Sequence, residues 1–237
     1  MNDQQRYFDD SSHRYPQVNA VNPPLAQEFE MEHLHKALGV LGGHNILDFG
    51  AGSGRVSFWF LKRGFDVTAV DVSPLSLRDL RRVYMRKRQK SWGALTTMTE
   101  LPSAGAFDAI VGADILHHVD IREYLPRLFR VLKPGGGIAF SEPNAWHIPW
   151  YVHWMREGIP WRIEQGVLQC TRRNITQRLT RTGFLEVRLV GHGLIPTRLL
   201  ESVPFLCRLN AFHWGNLPLL RMFSFRCMIT ASKPLHP

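Results

Sequence analysis

The sequence predicts an α/β fold: a doubly wound, mostly parallel seven-stranded sheet of Rossmann-like type, with an antiparallel C-terminal edge hairpin and two insertions. Three observations predict it. Short apolar runs alternate with helix-compatible stretches along most of the 237 residues, the pattern of a parallel sheet with helices on both faces. The string ILDFGAGSGRVS, residues 46–57, leads from an apolar run ending in Asp48 into three alternate glycines, Gly50, Gly52 and Gly54. A second apolar run, residues 67–70, then ends on Asp71. A strand, a glycine turn, a helix and a strand tipped by an acid form a unit that binds a nucleoside-bearing cofactor. Glycines let the backbone approach the ligand, and the acid accepts the ribose hydroxyls.

Taken in order, the elements expected are a helix at 25–38 and strands at 45–49, 66–71, 95–98, 107–112 and 136–142. Helices are expected at 54–63, 75–89, 121–132 and 174–182, with the final antiparallel strands at 185–191 and 223–232. Each strand is short and apolar, and each helix carries apolar residues at three- and four-residue spacing. Ligands of such sheets bind beyond the carboxyl ends of the strands, where every motif named here falls.

The glycine spacing selects the cofactor. A dinucleotide turn wants G-x-G-x-x-G, the third glycine closing helix against strand. That position holds Arg55, and the glycine falls one residue early at Gly54. The pattern is G-x-G-x-G preceded by Asp48, which suits S-adenosylmethionine (SAM), a ligand with no phosphate to cradle and with an ammonium that welcomes a carboxylate.

At these residues the chain resembles the class I SAM-dependent methyltransferases. FDAIVGADILHHV, residues 107–119, looks like that family's fourth strand and following loop. RVLKPGGGIAFSEPN, residues 130–144, looks like its fifth strand and preceding glycine turn. The resemblance runs from about residue 25 to 234. It implies that Asp48, Gly50, Ala51 and Gly52 hold the methionine portion of SAM, that Asp71 holds the ribose and that Val72 packs on adenine. Thr97, Met98 and Thr99 match the adenine side, where the family often has an acid before the Leu-Pro pair (here Leu101 and Pro102). Ala113, Asp114 and His117 match the loop by the cofactor. FSEPN, residues 140–144, and the stretch 217–234 look like a bacterial subgroup of ill-defined substrate, within the type 11/12-like small-molecule methyltransferases. Its members resemble enzymes acting on lipid-linked, saccharide or isoprenoid-type molecules.

Residues 1–24 read as a flexible polar arm and residues 25–237 as the methyltransferase domain. Two insertions exceed the bare fold. Residues 144–170 read as a substrate lid whose tryptophans 146, 150 and 154 share a helix face if Pro149 sits in the first turn. Residues 192–222 read as an insertion that packs on the core or lies on a membrane surface; its prolines and charges argue against a span.

Charge is uneven. Residues 144–237 carry twelve Lys/Arg against four Asp/Glu and five of the seven tryptophans. A basic, aromatic third suits an anionic partner, a phosphate-bearing substrate or an anionic membrane surface. Nucleic acid is disfavoured: the motifs of base methylation and an appended RNA-binding module are absent. Three cysteines without metal-type spacing, and an N-terminus without a leader-like apolar run, point to the cytoplasm, with peripheral membrane contact as an option.

The expected activity is therefore methyl transfer from SAM to oxygen of a bulky apolar or anionic small molecule. The alternatives are a nucleic-acid methyltransferase and a non-catalytic SAM-binding partner protein. If the acceptor carries a proton of high pKa, a base is needed; the candidates are His117, Glu142 and His147, with His118 read as a packing residue of the loop. No metal is expected.

Overall fold

Period-two alternation along one strand sets both faces of the sheet. In β1 (Asn45–Phe49), Ile46 joins one buried apolar cluster while Leu47 and Phe49 join another,. The computed structural model describes residues 6–7, 9–10, 17–38, 43–103, 107–195, 200, 202–203, 205–206, 217, 220 and 223–235.

The other strands are β2 (Asp66–Val70), β3 (Leu95–Met98), β4 (Phe107–Ala113), β5 (Leu132–Pro143), β6 (Leu185–His192) and β7 (Arg226–Ser232). They form one seven-stranded sheet in the order β3-β2-β1-β4-β5-β7-β6. β1 to β5 pair in parallel, and β7 runs antiparallel between β5 and β6. The expected architecture is therefore present, with β6 at the edge. β5 begins four residues before the expected strand, and β7 starts at Arg226 rather than at 223.

Eight α-helices among the described residues flank the sheet: α1 (Gln17–Val21), α2 (Leu25–Ala37), α3 (Arg55–Leu61), α4 (Pro74–Lys87), α5 (Ile121–Val131), α6 (Ile148–Arg156), α7 (Trp161–Glu164) and α8 (Arg172–Thr182). Met31, Leu34, Phe58, Phe60, Leu77 and Leu80 carry α2, α3 and α4 onto the Ile46 face. Leu125, Leu128, Ile175 and Leu179 carry α5 and α8 onto the Leu47 face. Each of these side chains is at most 5% exposed, and burial of this kind stabilises by roughly 1.5–3 kcal/mol per large apolar side chain.

After β3 the chain crosses back to place β4 on the other side of β1. The carboxyl ends of β1 and β4 thus diverge at a topological switch point, where open α/β sheets receive ligands.

The two insertions and the arm differ from their sequence reading in detail. The inner end of the arm, expected to be loose, is helical, with Ala20 and Val21 buried; most of residues 1–16 lie outside the described residues. In the lid, Pro149 does sit in the first turn of α6, where its missing N–H costs no helix bond. Trp146 precedes the helix and shares no face with the other two. Trp150 and Trp154 turn inward and stack at 5.9 Å, and Trp154 packs on Tyr151 and Trp161. Most of the second insertion, 192–222, lies outside the described residues. Among the described residues no helix is long and apolar enough to cross a membrane.

Candidate active site

The glycine turn after β1 and the acid after β2 form one hydrogen-bonded unit. Gly50 N–H and Ala51 N–H donate to Val70 O at 2.8 and 3.0 Å. Gly52 N–H donates to Asp71 Oδ2 at 2.8 Å, and Ser73 N–H donates to Asp71 Oδ1 at 2.9 Å. Gly52 has φ +49°, and a Cβ built on it meets nothing within 4 Å. The turn therefore has a left-handed corner beside open space, next to a half-buried carboxylate. Gly54 differs: at φ +93° its Cβ would come within 2.9 Å of Leu80, so this glycine lets α4 pack against the turn.

Beyond Asp71, Val72 is 45% exposed. Asp71 N–H donates to Met98 O at 3.2 Å, which joins the acid to the end of β3. There a groove of about 770 Å³ is lined by Pro74, Leu77, Thr97, Met98, Thr99 and Glu100, among others. Thr97 Oγ1 accepts from Arg81 at 2.5 Å. Sequence reasoning looked for the adenine-side acid at Thr97 and passed over Glu100, which directly precedes Leu101-Pro102 and lines the same groove. An open strand-end groove, a space over Gly52 and a carboxylate between them fit a ligand with an apolar base, a ribose and a small polar tail.

Asp48 does not line that space. It lies on the Ile46 face of β1, fully buried, and accepts from Ser57 Oγ of α3 at 2.6 Å. Its Oδ1 has no partner. Burial lifts its pKa to about 7, helped by the charge of Asp71 and opposed by the Ser57 hydrogen bond.

On the other side of the switch point, Ala113 ends β4 and Asp114 follows at φ +60°. Asp114 receives Arg55 Nη2 at 2.9 Å and Arg226 Nη2 at 2.7 Å. Burial would raise its pKa, but Arg226 and Arg55 hold it below the usual carboxylate range. Arg226 also bonds Glu30 Oε1 at 2.7 Å and Ser141 Oγ at 2.8 Å, and Ser141 Oγ lies 3.4 Å from His192 Nε2. Glu30, Ser141 and Arg226 are each at most 9% exposed. The four charges of Glu30, Asp114, Arg55 and Arg226 balance. Sequence reasoning missed Glu30, Arg226 and His192, which are far apart in the chain and match no motif.

The three candidate bases do not form one site. Glu142, fully buried, accepts at Oε1 from Ile115 N and Leu116 N at 3.0 and 2.9 Å, and its Oε2 meets His117 Nδ1 at 2.5 Å. It caps the 3-10 turn Leu116–His118 rather than facing an acceptor. His117 lies between Glu142 and Glu164, with Nε2 3.2 Å from Glu164 Oε2. Burial lowers its pKa, but Glu142 above all, then Glu164 and Asp114, lift it to about 10. Both ring nitrogens of His117 are thus engaged by glutamates in this arrangement, and neither is turned toward an acceptor. His147 stands apart at the N-cap of α6, beside Phe225, and burial lowers its pKa. The packing role expected of His118 fits its contacts: Nδ1 lies 3.2 Å from Ile163 O.

Known proteins agree with this geometry. The family described as methyltransferase domain matches residues 46–136, which span β1 to the glycines of β5. The chain is 31% identical over 159 residues to a demethylmenaquinone methyltransferase of Tropheryma whipplei, covering 65% of this chain and 66% of that protein. It is 31% identical over 149 residues to an uncharacterized methyltransferase of Mycobacterium tuberculosis, covering 61% and 75%. A ubiquinone biosynthesis O-methyltransferase of Bordetella avium matches at 30% over 142 residues, covering 59% and 56%. The match thus spans just under two thirds of the first of these relatives and little over half of the last. Among solved structures, a Haemonchus contortus phosphoethanolamine N-methyltransferase 2 in complex with S-adenosyl-L-methionine has a TM-score of 0.65 at 19% identity, covering 99% of this chain and 60% of that one. An S-adenosylmethionine-dependent methyltransferase from Mesorhizobium loti has a TM-score of 0.58 at 18% identity, covering 86% and 98%. With the sheet order, the glycine turn and the strand-tip acid, these matches place the chain in a family: it belongs to the class I SAM-dependent methyltransferases.

Proposed function

We propose that this protein transfers a methyl group from SAM to an oxygen of a bulky, lipid-soluble small molecule taken from an anionic membrane surface. The observation that carries the cofactor half is the Gly52–Asp71 hydrogen bond, which makes turn and acid one preformed cradle. Asp71 receives the ribose, Gly50 to Gly52 pass beneath the methionine portion, and Val72, Met98 and Thr99 flank the adenine. Thr97 is tied to Arg81, so Glu100 is the better partner for the adenine amino group. Ala113 and Asp114 border the methyl end. SAM supplies the electrophilic methyl when bound; the chain's own task is to hold the acceptor oxygen ~3–3.5 Å from it and exclude water, worth roughly 7–11 kcal/mol by orientation alone.

The acceptor class rests on the outer face of the lid. Ile148, Val152 and Met155 recur at i, i+4 and i+7 of α6 and are 73%, 40% and 72% exposed, with Trp146 at 68% beside them. Arg156 at the end of α6 and Arg162 in α7, which follows it in the chain, are exposed as well. An apolar stripe with a cationic border is the make-up of a surface that settles on an anionic bilayer. Two relatives are named for quinones, which agrees with an acceptor drawn from lipid.

The test is transfer of labelled methyl from SAM into a host extract, partitioned into lipid, nucleic-acid and aqueous fractions. Enzyme-dependent label in the lipid fraction, on oxygen, supports the reading. Label confined to the aqueous or nucleic-acid fraction sinks the acceptor class while leaving the transferase.

A further inference from the structure

The segment that borders the methyl end of the site is joined to the lid by a buried cluster that methyl transfer does not use. His117 and His118 come from the 3-10 turn after β4, and Glu164 comes from the end of α7 in the lid, 46 residues away in sequence. A ring nitrogen of each histidine and a carboxylate oxygen of Glu164 all lie within 4.8 Å of one another. His117 and Glu164 are 3% and 8% exposed, and His118 is half-buried.

Three features suit a cation. The first is tautomer. His117 Nδ1 faces Glu142 Oε2 at 2.5 Å, and His118 Nδ1 faces Ile163 O at 3.2 Å. An Nδ1–H donated to a carboxylate or backbone carbonyl leaves the lone pair of a neutral imidazole on Nε2, the arrangement that orients metal-binding histidines. The second is spacing. His117 Nε2 is 3.2 Å from Glu164 Oε2, and two ligands held at ~2.0–2.2 Å from a tetrahedral ion stand about 3.3–3.6 Å apart, so a small separation of the two admits the ion. The third is charge: two carboxyl side chains, Glu142 and Glu164, flank the one imidazole of His117, a setting that suits a divalent cation.

The frame around the cluster is already fixed. Gln169 Nε2 donates to Leu116 O and Val119 O at 3.2 and 2.7 Å. Gly166 lies so close to the turn that a Cβ on it would overlap His117 O at 1.8 Å. The lid and the loop thus meet without the ion, with the three ligand atoms within 4.8 Å of one another.

We propose that His117, His118 and Glu164 bind one divalent transition-metal ion of the zinc type, with Glu142 and the Ile163 carbonyl orienting the two imidazoles. Two nitrogens and one carboxylate oxygen leave a fourth position for water. The ion acts as a joint: it locks the loop that borders the methyl end to the segment carrying the exposed lid stripe. This inference is independent of the acceptor proposed above.

The experiment uses the full chain, stripped with a chelator and dialysed. Zn²⁺ binding is followed by calorimetry, and Co²⁺ binding by its visible ligand-field bands. The expected result is one equivalent of Zn²⁺ bound below micromolar, four-coordinate cobalt bands, and a metal-dependent rise in melting temperature. Glu164→Gln and His118→Ala should each weaken Zn²⁺ binding at least about 10-fold, with SAM titration and circular dichroism reporting that the fold persists. Two results would overturn the proposal. One is a protein that binds SAM normally but takes up no zinc at micromolar concentration, which leaves His117 as a protonated clamp between two glutamates. The other is zinc binding unchanged in both variants, which assigns the ion to other histidines. If both variants fail to fold, Glu164→Asp decides: a retained fold with weakened cobalt bands supports the site, and an unaltered spectrum removes it.

Discussion

The part of the sheet proposed to hold the cofactor and the part proposed to face the acceptor are built on different physical terms. In the first, from β1 to the end of β3, the working groups are backbone amides and one acid within about 20 residues of each other. Gly52 N–H and Asp71 Oδ2 are 19 residues apart and meet because β1 and β2 are adjacent parallel strands. In the second, side chains from five separate segments converge: Glu30 of α2, Asp114 after β4, Ser141 of β5, His192 of β6 and Arg226 of β7. A glycine turn is specified by local conformation; a buried charge network is specified by the whole fold. The first type should fail in binding and the second in stability.

The largest effect expected is at Gly52. A side chain there must adopt a left-handed backbone and fill the open space beside Asp71,. Gly52→Arg should remove measurable SAM binding in a titration while leaving the far-ultraviolet dichroism unchanged. Full SAM affinity in a folded Gly52→Arg protein would break the assignment of the cradle.

Next comes Arg226. Replacing it by methionine leaves Glu30 and Asp114 with Arg55 as the guanidinium beside them, and removing one member of a buried charge set costs about 3–5 kcal/mol. Urea unfolding of Arg226→Met should show a loss of that order. A loss within the range of an ordinary surface change would mean that the network is solvated and that the contrast between halves is false.

Asp48 sharpens the comparison with a pH signature. Its folded pKa is raised, from an ordinary value near 3.8 to about 7, so the folded state favours the protonated acid. The contribution of this group is therefore fully present below about pH 4 and is lost as pH rises from there through 7, by a few kcal/mol at most. Asp48→Asn should flatten the pH dependence of unfolding between about pH 4 and 7. An unaltered slope would assign that dependence to other groups.

Legibility follows the same division. The strands, the mostly parallel sheet and the edge hairpin were readable because apolar runs, glycines and acids at strand ends are local signals. Asp71 and Gly52 sit together as the spacing implied, and Pro149 sits in the first turn of its helix as required. What only packing decides was less legible. Asp48, expected at the methionine portion of the ligand, is fully buried with Oδ2 on Ser57 of α3 and Oδ1 unpartnered. The tryptophans of the lid were expected to share one helix face; Trp150 and Trp154 stack inward, Trp146 precedes the helix, and the exposed stripe is Ile148, Val152 and Met155. His117 and Glu142 were read as bases because they sit at strand ends. Their commitment to each other and to the loop backbone could not be seen without Glu164, which arrives from a different element.

The smallest expected change in binding accompanies a large change in turnover, and that crossing tests the central claim most directly. SAM affinity and methyl transfer to lipid-fraction acceptor in the presence of anionic vesicles should be measured side by side for Asp71→Ala and for Ile148→Ser/Met155→Ser. The account predicts that Asp71→Ala weakens SAM binding by about 10-fold or more, the scale of a lost charge-assisted hydrogen bond. It predicts that the stripe variant keeps SAM affinity within about two-fold, since single exposed positions far from a ligand change little, yet loses most lipid-directed transfer. If the stripe variant transfers to lipid as well as the unchanged protein, or if both variants weaken SAM alike, the division into a cofactor half and a membrane-facing acceptor half is contradicted.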